Sequence, residues 1–183
     1  MSKTALLIID MQNDYFPNGA FTLNGIEAAA VNARHVLDRF REQANTIVHV
    51  RHEFASSEAP FFVPDSEGAK IHETLWPQEG EHQVLKHEVN SFKGTDLHAL
   101  LQKEGITQLV IVGAMSHICI DAVTRAAADL GYSNTVLHDA CATLDVSFNG
   151  VTVPAAHVHA TIMAALEFAY ADVISTDAFL QGQ

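Results

Sequence analysis

Cysteine is scarce in this sequence: 183 residues carry two, Cys119 and Cys141, too few for a disulfide-built scaffold and expected free in a reducing compartment. Basic residues are scarce as well. Lys and Arg number 10 against 22 Asp and Glu, a formal net charge of -12, so a phosphate backbone or an anionic membrane meets repulsion over most of the surface. Neither nucleic acid nor membrane is an expected partner. Long apolar runs are missing too: the N-terminal run from Ala5 to Ile9 is cut by Asp10, too short for a signal-peptide core or a membrane span. A cytoplasmic location is the expectation. No internal repeat, low-complexity tract or linker divides the chain, and residues 1–183 read as one domain.

What is present is an alternation of short apolar runs with longer helical patterns, the signature of an α/β domain with a mainly parallel sheet. Thr4 to Asp10 reads as a first strand, "GIEAAAVNARHVLDRFREQ" as a helix and "TIVHVRH" as a second strand. Residues 53–82 hold Pro60, Pro64 and Pro77 and no sustained period. They read as an irregular excursion with at most one helical turn, and a loop of that length is usually functional. "QVLKH" is a third strand ending at Lys86, and "GTDLHALLQKEG" a helix with Thr95 as N-cap and Gly105 as stop. "QLVIVGA" is a buried fourth strand, followed by a helix from His117 to Leu130 with Ser116 as N-cap. "SNTVLHDA" is a fifth strand, "PAAHVHATIMAALEFAYA" a helix opened by Pro154, and "DVIST" the closing strand.

In open parallel sheets, ligands bind beyond the carboxyl ends of the strands. Asp10 ends strand one, Lys86 ends strand three, and Cys119 lies just past strand four. Taken singly, each has a plainer reading: a solvated strand end, a surface lysine, a small buried hydrophobe. Together they place an acid, a cation and a thiol on one sheet edge. With Ser116 as cap, Cys119 would sit in a first helical turn, where unpaired N–H groups stabilise a thiolate.

The segments "LLIIDMQNDYF", "VLKHEVNSFKGTDL" and "VIVGAMSHICIDAVTRAAADLGY" resemble the three signature segments of the isochorismatase-like cysteine hydrolases, and the similarity extends to "DACAT" and the final helix. The resemblance implies a three-layer α/β/α fold around a six-stranded mainly parallel sheet in order 3-2-1-4-5-6. It also implies a catalytic triad of Asp10, Lys86 and Cys119, a cis peptide between Ala114 and Met115, and an oxyanion site at the N–H groups of Met115 and Cys119. The implied reaction is nucleophilic acyl transfer on a small amide-like substrate without a cofactor, in a homodimer or homotetramer. Cys119 argues against isochorismate itself, because the family's namesake has a small residue in place of the cysteine. Nicotinamidases in this family carry Asp-x-His after strand two, whereas this chain has Arg51 and Glu53 in "VRHEF", which argues against that metal site and that substrate.

Eleven histidines invite a metal reading. His157 and His159 do not share a helix face, and His49 and His52 lie on opposite sides of a strand, so no metal site is expected. His52 leaves strand two toward the proposed cleft and, with Phe16, Phe92 and His117, is a candidate substrate contact. The loop aromatics Phe16, Phe54, Phe61, Phe62, Trp76 and Phe92 suit either a cleft or a subunit interface. Gln12, Asn13 and Asp14 read as a loop held by side-chain-to-backbone hydrogen bonds, and Cys141 as structural. A binding or regulatory protein on the same fold, and a redox-responsive thiol protein, are the competing functions.

Overall fold

In the computed structural model, which describes residues 3–182, the apolar runs pair side by side as the alternation predicts. β1 (Thr4–Ile9) lies between β2 (Thr46–His52) and β4 (Gln108–Ala114), parallel to both. It is buried on both faces, which is why "ALLII" is continuous rather than alternating. β3 (His82–Lys86) extends the sheet beyond β2, and β5 (Ser133–Ala142) beyond β4. β6 (Val146–Phe148) and β7 (Val151–Val153) form a separate antiparallel hairpin, and β8 (Asp172–Ile174) closes the main sheet against β5. The six-strand order is β3-β2-β1-β4-β5-β8. That is the expected order, the hairpin having raised the number of the last strand.

Helices cover both faces. α1 (Ile26–Glu42) buries Ile26, Ala30, Ala33, Val36, Leu37 and Phe40 at helical spacing against one face. On the other, α2 (Leu97–Lys103), α3 (Asp121–Asp129) and α4 (Ala155–Ala169) place Leu97, Leu101, Val123, Met163 and Leu166 over Leu7, Ile9 and Ile111. α5 (Thr176–Gln181), capped by the Ser175 hydroxyl, returns Phe179 to the first face. Among the described residues no helix is long and apolar enough to cross a membrane.

Several local expectations change. Helix α3 begins at Asp121 rather than His117, because Ser116–Ile120 forms a π-type turn. Ser116 does not cap it: its hydroxyl reaches the Ala142 carbonyl at 3.2 Å and His159 Nδ1 at 2.8 Å. Asp96, not Thr95, occupies the N-cap position of α2, although the Thr95 hydroxyl accepts from the Leu97 N–H at 3.3 Å. The hairpin and α5 are additions to the sequence reading, being too short to show a period. The 53–82 excursion contains one short 3-10 turn, Glu73–Leu75, as expected.

Candidate active site

Three strand ends meet. Asp10 follows β1 with a φ of 51°, a left-handed conformation that costs free energy in a residue with a Cβ. Hydrogen bonds hold the turn: the Asp10 N–H donates to the Val50 carbonyl, and the Gln12 N–H to the Asp10 carbonyl, each at 2.9 Å. Lys86 ends β3 in register with His52 of β2. Cys119 sits in the π-type turn after β4, a feature often found at functional sites. The approach of β4 to β1 depends on Gly113. Its φ is 132°, and a Cβ there would stand 2.1 Å from the Ile9 carbonyl oxygen. The peptide from Ala114 to Met115 is cis, as the resemblance implies.

Lys86 is the hub. Its Nζ lies 2.9 Å from Asp10 Oδ2, 3.1 Å from His52 Nδ1, 3.1 Å from the Glu88 carbonyl and 3.3 Å from Cys119 Sγ. Asp10 and Lys86 are 0% exposed and Cys119 5%. Two opposite charges and a thiol are therefore sealed together, in a setting where each interaction is stronger than in water. Asp10 Oδ1 has no hydrogen-bond partner among the described residues, which leaves it free to receive a proton.

The surroundings of the thiol pull it in two directions. Burial pushes the Cys119 pKa far above its usual range and the Asp10 charge adds to the rise, while Lys86 opposes both. Burial and the Asp10 charge thus work against the thiolate, and Lys86 is the neighbour that favours it. Burial also works against the Lys86 ammonium, but Asp10 and Cys119 outweigh it and raise its pKa. Cys141 pairs with Gly113 in the sheet, and burial lifts its thiol to about 12. Among the described residues no hydrogen bond links it to Asp10, Lys86 or Cys119, although it shares a buried cluster with Cys119.

Of the candidate substrate contacts, His52 is brought to the hub, whereas Phe16 is not. Phe16 stacks on His72 at 3.6 Å between centroids and borders a depression beside α1. Its neighbour Tyr15 turns inward instead: the tyrosine's pKa is raised by burial and then by the charges of Asp10 and Cys119. Phe92 stacks on Tyr132 at 6.1 Å, on the face that holds Cys119. His117 Nδ1 is engaged by the Thr143 hydroxyl at 2.6 Å. Phe54, Phe61 and Phe62 form a roof with Tyr15, whose ring lies 4.5 Å from Phe62 and 5.7 Å from Phe61, and Phe54 meets His52 at 4.6 Å. A depression lined by Arg51, Glu53, Lys70 and Trp76 contains no member of the Asp10, Lys86 and Cys119 set. Arg51 is ion-paired with Glu53, and among the described residues no three His, Cys, Asp or Glu side chains are grouped to hold a metal.

The isochorismatase domain model matches residues 4–178. The chain belongs to the isochorismatase family. The family protein YddQ of Bacillus subtilis is 49% identical over 178 residues, covering 97% of this chain and 99% of YddQ. The crystal structure of an isochorismatase hydrolase from Oleispira antarctica superposes with a TM-score of 0.96 at 59% identity, covering 99% of this chain and 97% of that one. Ureidoacrylate amidohydrolase RutB of Agrobacterium fabrum is 24% identical over 172 residues, covering 76% and 75% of the two chains.

In this isochorismatase-family chain Gln12, Asn13 and Asp14 reach further than their sequence context suggested. All three make side-chain-to-backbone bonds, as the sequence suggested, and most of these run to distant segments, with Asn13 Nδ2 donating to the Glu67 carbonyl at 2.8 Å. Gln12 Nε2 donates to the carbonyls of His52 and Ala69, both at 2.7 Å. Asp14 Oδ2 accepts the Phe62 N–H at 2.7 Å and Oδ1 the Ala20 N–H at 3.1 Å. The only sequence hint was polar residues directly after an apolar strand, with Gly68 far downstream. A Cβ on Gly68 would fall 2.2 Å from the Asp14 carboxylate.

Proposed function

We propose that the chain is a cysteine hydrolase that cleaves a small amide or related C–N bond through a thioester. The observation that carries this reading is one buried ammonium in contact with both the Asp10 carboxylate, one oxygen of which is unpaired among the described residues, and the Cys119 thiol. Membership of a family that includes an amidohydrolase supports it. Asp10, whose Oδ1 has no hydrogen-bond partner among the described residues, serves as general base in this reading. Asp10 takes the thiol proton as Sγ bonds to the carbonyl carbon, and the carbonyl π pair moves to oxygen. The N–H groups of Met115 and Cys119 would hold that oxyanion, each donor contributing about 3–4 kcal/mol. Re-formation of the carbonyl breaks the C–N bond, and Asp10 returns its proton to the departing nitrogen. Water then attacks the thioester, giving a proton to Asp10; the C–S bond breaks, the proton returns to sulfur, and the carboxylic acid leaves. Lys86 keeps negative charge tolerable on either Asp10 or sulfur throughout.

The burial of the thiol also favours a second reading, a binding protein with little turnover. Product release over a panel of carboxamides, with mass spectrometry of the intact protein after rapid quench, separates the two. The hydrolytic reading requires an acyl adduct on Cys119 and loss of about 10³-fold or more of turnover in Cys119→Ala. Equal rates in wild type and variant, or ligand binding without any adduct, would remove it.

A further inference from the structure

His52 is held from two sides. Its backbone N–H donates to Gln12 Oε1 at 2.7 Å, and Gln12 Nε2 returns a bond to its carbonyl at 2.7 Å. Its ring meets the Lys86 ammonium through Nδ1 at 3.1 Å. An ammonium has donors only, so Nδ1 is the acceptor and the neutral imidazole carries its hydrogen on Nε2. The Glu88 carbonyl also borders the ring and accepts from the same ammonium at 3.1 Å, and a hydrogen on Nδ1 would face that ammonium's own donors. Burial lowers the His52 pKa and the Lys86 charge lowers it further, so the ring is neutral.

The other nitrogen is unspent. Nε2 is buried with no hydrogen-bond partner among the described residues, and His52 is 6% exposed. An unpaired buried donor costs about 1–3 kcal/mol. A ligand that supplies an acceptor recovers that free energy, and one that lacks it does not, which is the usual origin of strong polar discrimination.

We propose that the His52 Nε2–H is the specificity donor of the site and pairs with a second carbonyl oxygen of the substrate, two or three bonds from the carbon that Cys119 attacks. This rests on the hydrolytic reading and adds the substrate class: 2-oxo and 3-oxo amides and malonic diamides in preference to plain alkyl amides. The reach follows from the hub. Sγ and Nδ1 share the Lys86 Nζ, at 3.3 and 3.1 Å, so they lie no more than two hydrogen-bond lengths apart, and the proposal requires an acceptor a few bonds from the reacting carbon to meet Nε2 across the ring. The charge follows as well. Asp10 and Lys86 already cancel, so a neutral carbonyl enters without adding an uncompensated charge, whereas a carboxylate does not.

The first test needs no substrate. A long-range proton–nitrogen NMR spectrum of histidine-labelled wild-type protein should show His52 protonated on Nε2; protonation on Nδ1 overturns the proposal. The second compares acetoacetamide, malonamate and valeramide in wild type, His52→Asn, which removes the donor at the Nε2 position, and His52→Gln, which restores an N–H near it. Intrinsic reactivity cancels in each wild-type-to-variant ratio of kcat/KM. His52→Asn should lose at least tenfold more on acetoacetamide than on valeramide, and His52→Gln should regain most of the difference. Malonamate should lose less than acetoacetamide in His52→Asn. Equal losses on acetoacetamide and valeramide overturn the proposal and leave hydrolysis standing. If no amide is turned over, protection of Cys119 from iodoacetamide is read with the same compounds. Selective protection by acetoacetamide that His52→Asn abolishes then supports the donor while hydrolysis falls; unselective protection, or none, overturns the donor too.

Discussion

Asp10 raises the Cys119 pKa and Lys86 lowers it, so the two neighbours pull the thiol in opposite directions and their substitutions should separate reactivity from catalysis. Asp10→Asn removes the negative charge while Lys86 remains. The apparent pKa for Cys119 alkylation should therefore fall below the wild-type value, although amide turnover drops by about 10²–10⁴-fold for want of a base. Lys86→Met should move the alkylation pKa upward. Alkylation profiles resolved by peptide mass spectrometry check both directions, and a rise in Asp10→Asn would refute the assignment of Asp10 as base. At this scale the chain was legible in part. Asp10, Lys86 and Cys119 were readable from their strand ends, and His52 from its exit from strand two. Tyr15 was not, because "DYF" offers two adjacent aromatics and only the turn after β1 decides which of them faces inward.

At the scale of elements, the site depends on two close approaches that no side chain makes. Gly113 lets β4 pass the Ile9 carbonyl, and Gly68 lets the 53–82 excursion lie against Asp14. Gly113→Ala places a methyl group inside a backbone carbonyl at a φ that L-residues avoid. Thermal unfolding should show a loss on the order of 3 kcal/mol or a failure to fold. Asp14→Ala leaves the sheet untouched but frees the Phe62 N–H, which is otherwise bonded at 2.7 Å. Hydrogen exchange should accelerate through residues 54–62 and not through β1, and alkylation of Cys119 should quicken as the aromatic roof loosens. Unchanged exchange in that segment would show that the rings, rather than the carboxylate, hold the roof in place. Helix and strand identities were readable because long periodic segments bury one face. The π-type turn and the Ser116 contacts were not, since an N-cap serine and a serine bonded to a neighbouring helix look alike in one dimension.

At the scale of the whole molecule, a second buried network ties the sheet edge to α1. Glu81 accepts from Arg41 Nε at 2.6 Å and Nη2 at 3.0 Å, from the Gln78 N–H at 2.8 Å, and meets His49 Nε2 at 2.8 Å. Burial alone would raise its pKa, but Arg41, the Gln78 amide and His49 outweigh burial and lower it from 4.5 to about 2. A carboxylate depressed in the folded state stabilises the fold above the unfolded pKa, and that contribution disappears as pH falls from about 4.5 toward about 2. His49 adds in the same sense: burial lowers its pKa below 6.5, so acid charges the unfolded histidine first and favours unfolding. Glu81→Gln should cost about 1–3 kcal/mol at pH 7 and flatten the loss of stability below pH 4.5. Urea titrations from pH 3 to 7 read both effects, and an undiminished acid slope would place the sensitivity elsewhere.

The sequence by itself determined the layer architecture, the strand order through its family segments, and the three chemically capable residues at strand ends. These are one-dimensional properties: periodicity, run length and the position of a polar residue at the end of an apolar run. Only the tertiary structure decided the burial of Cys119 between Asp10 and Lys86, the partner of Arg51, the inward turn of Tyr15 and the reach of Gln12 and Asp14 across 40 or more residues. Each of those depends on what other segments bring within hydrogen-bond distance and how completely they exclude water. Desolvation and charge act through space, and the order of residues along the chain does not contain those distances.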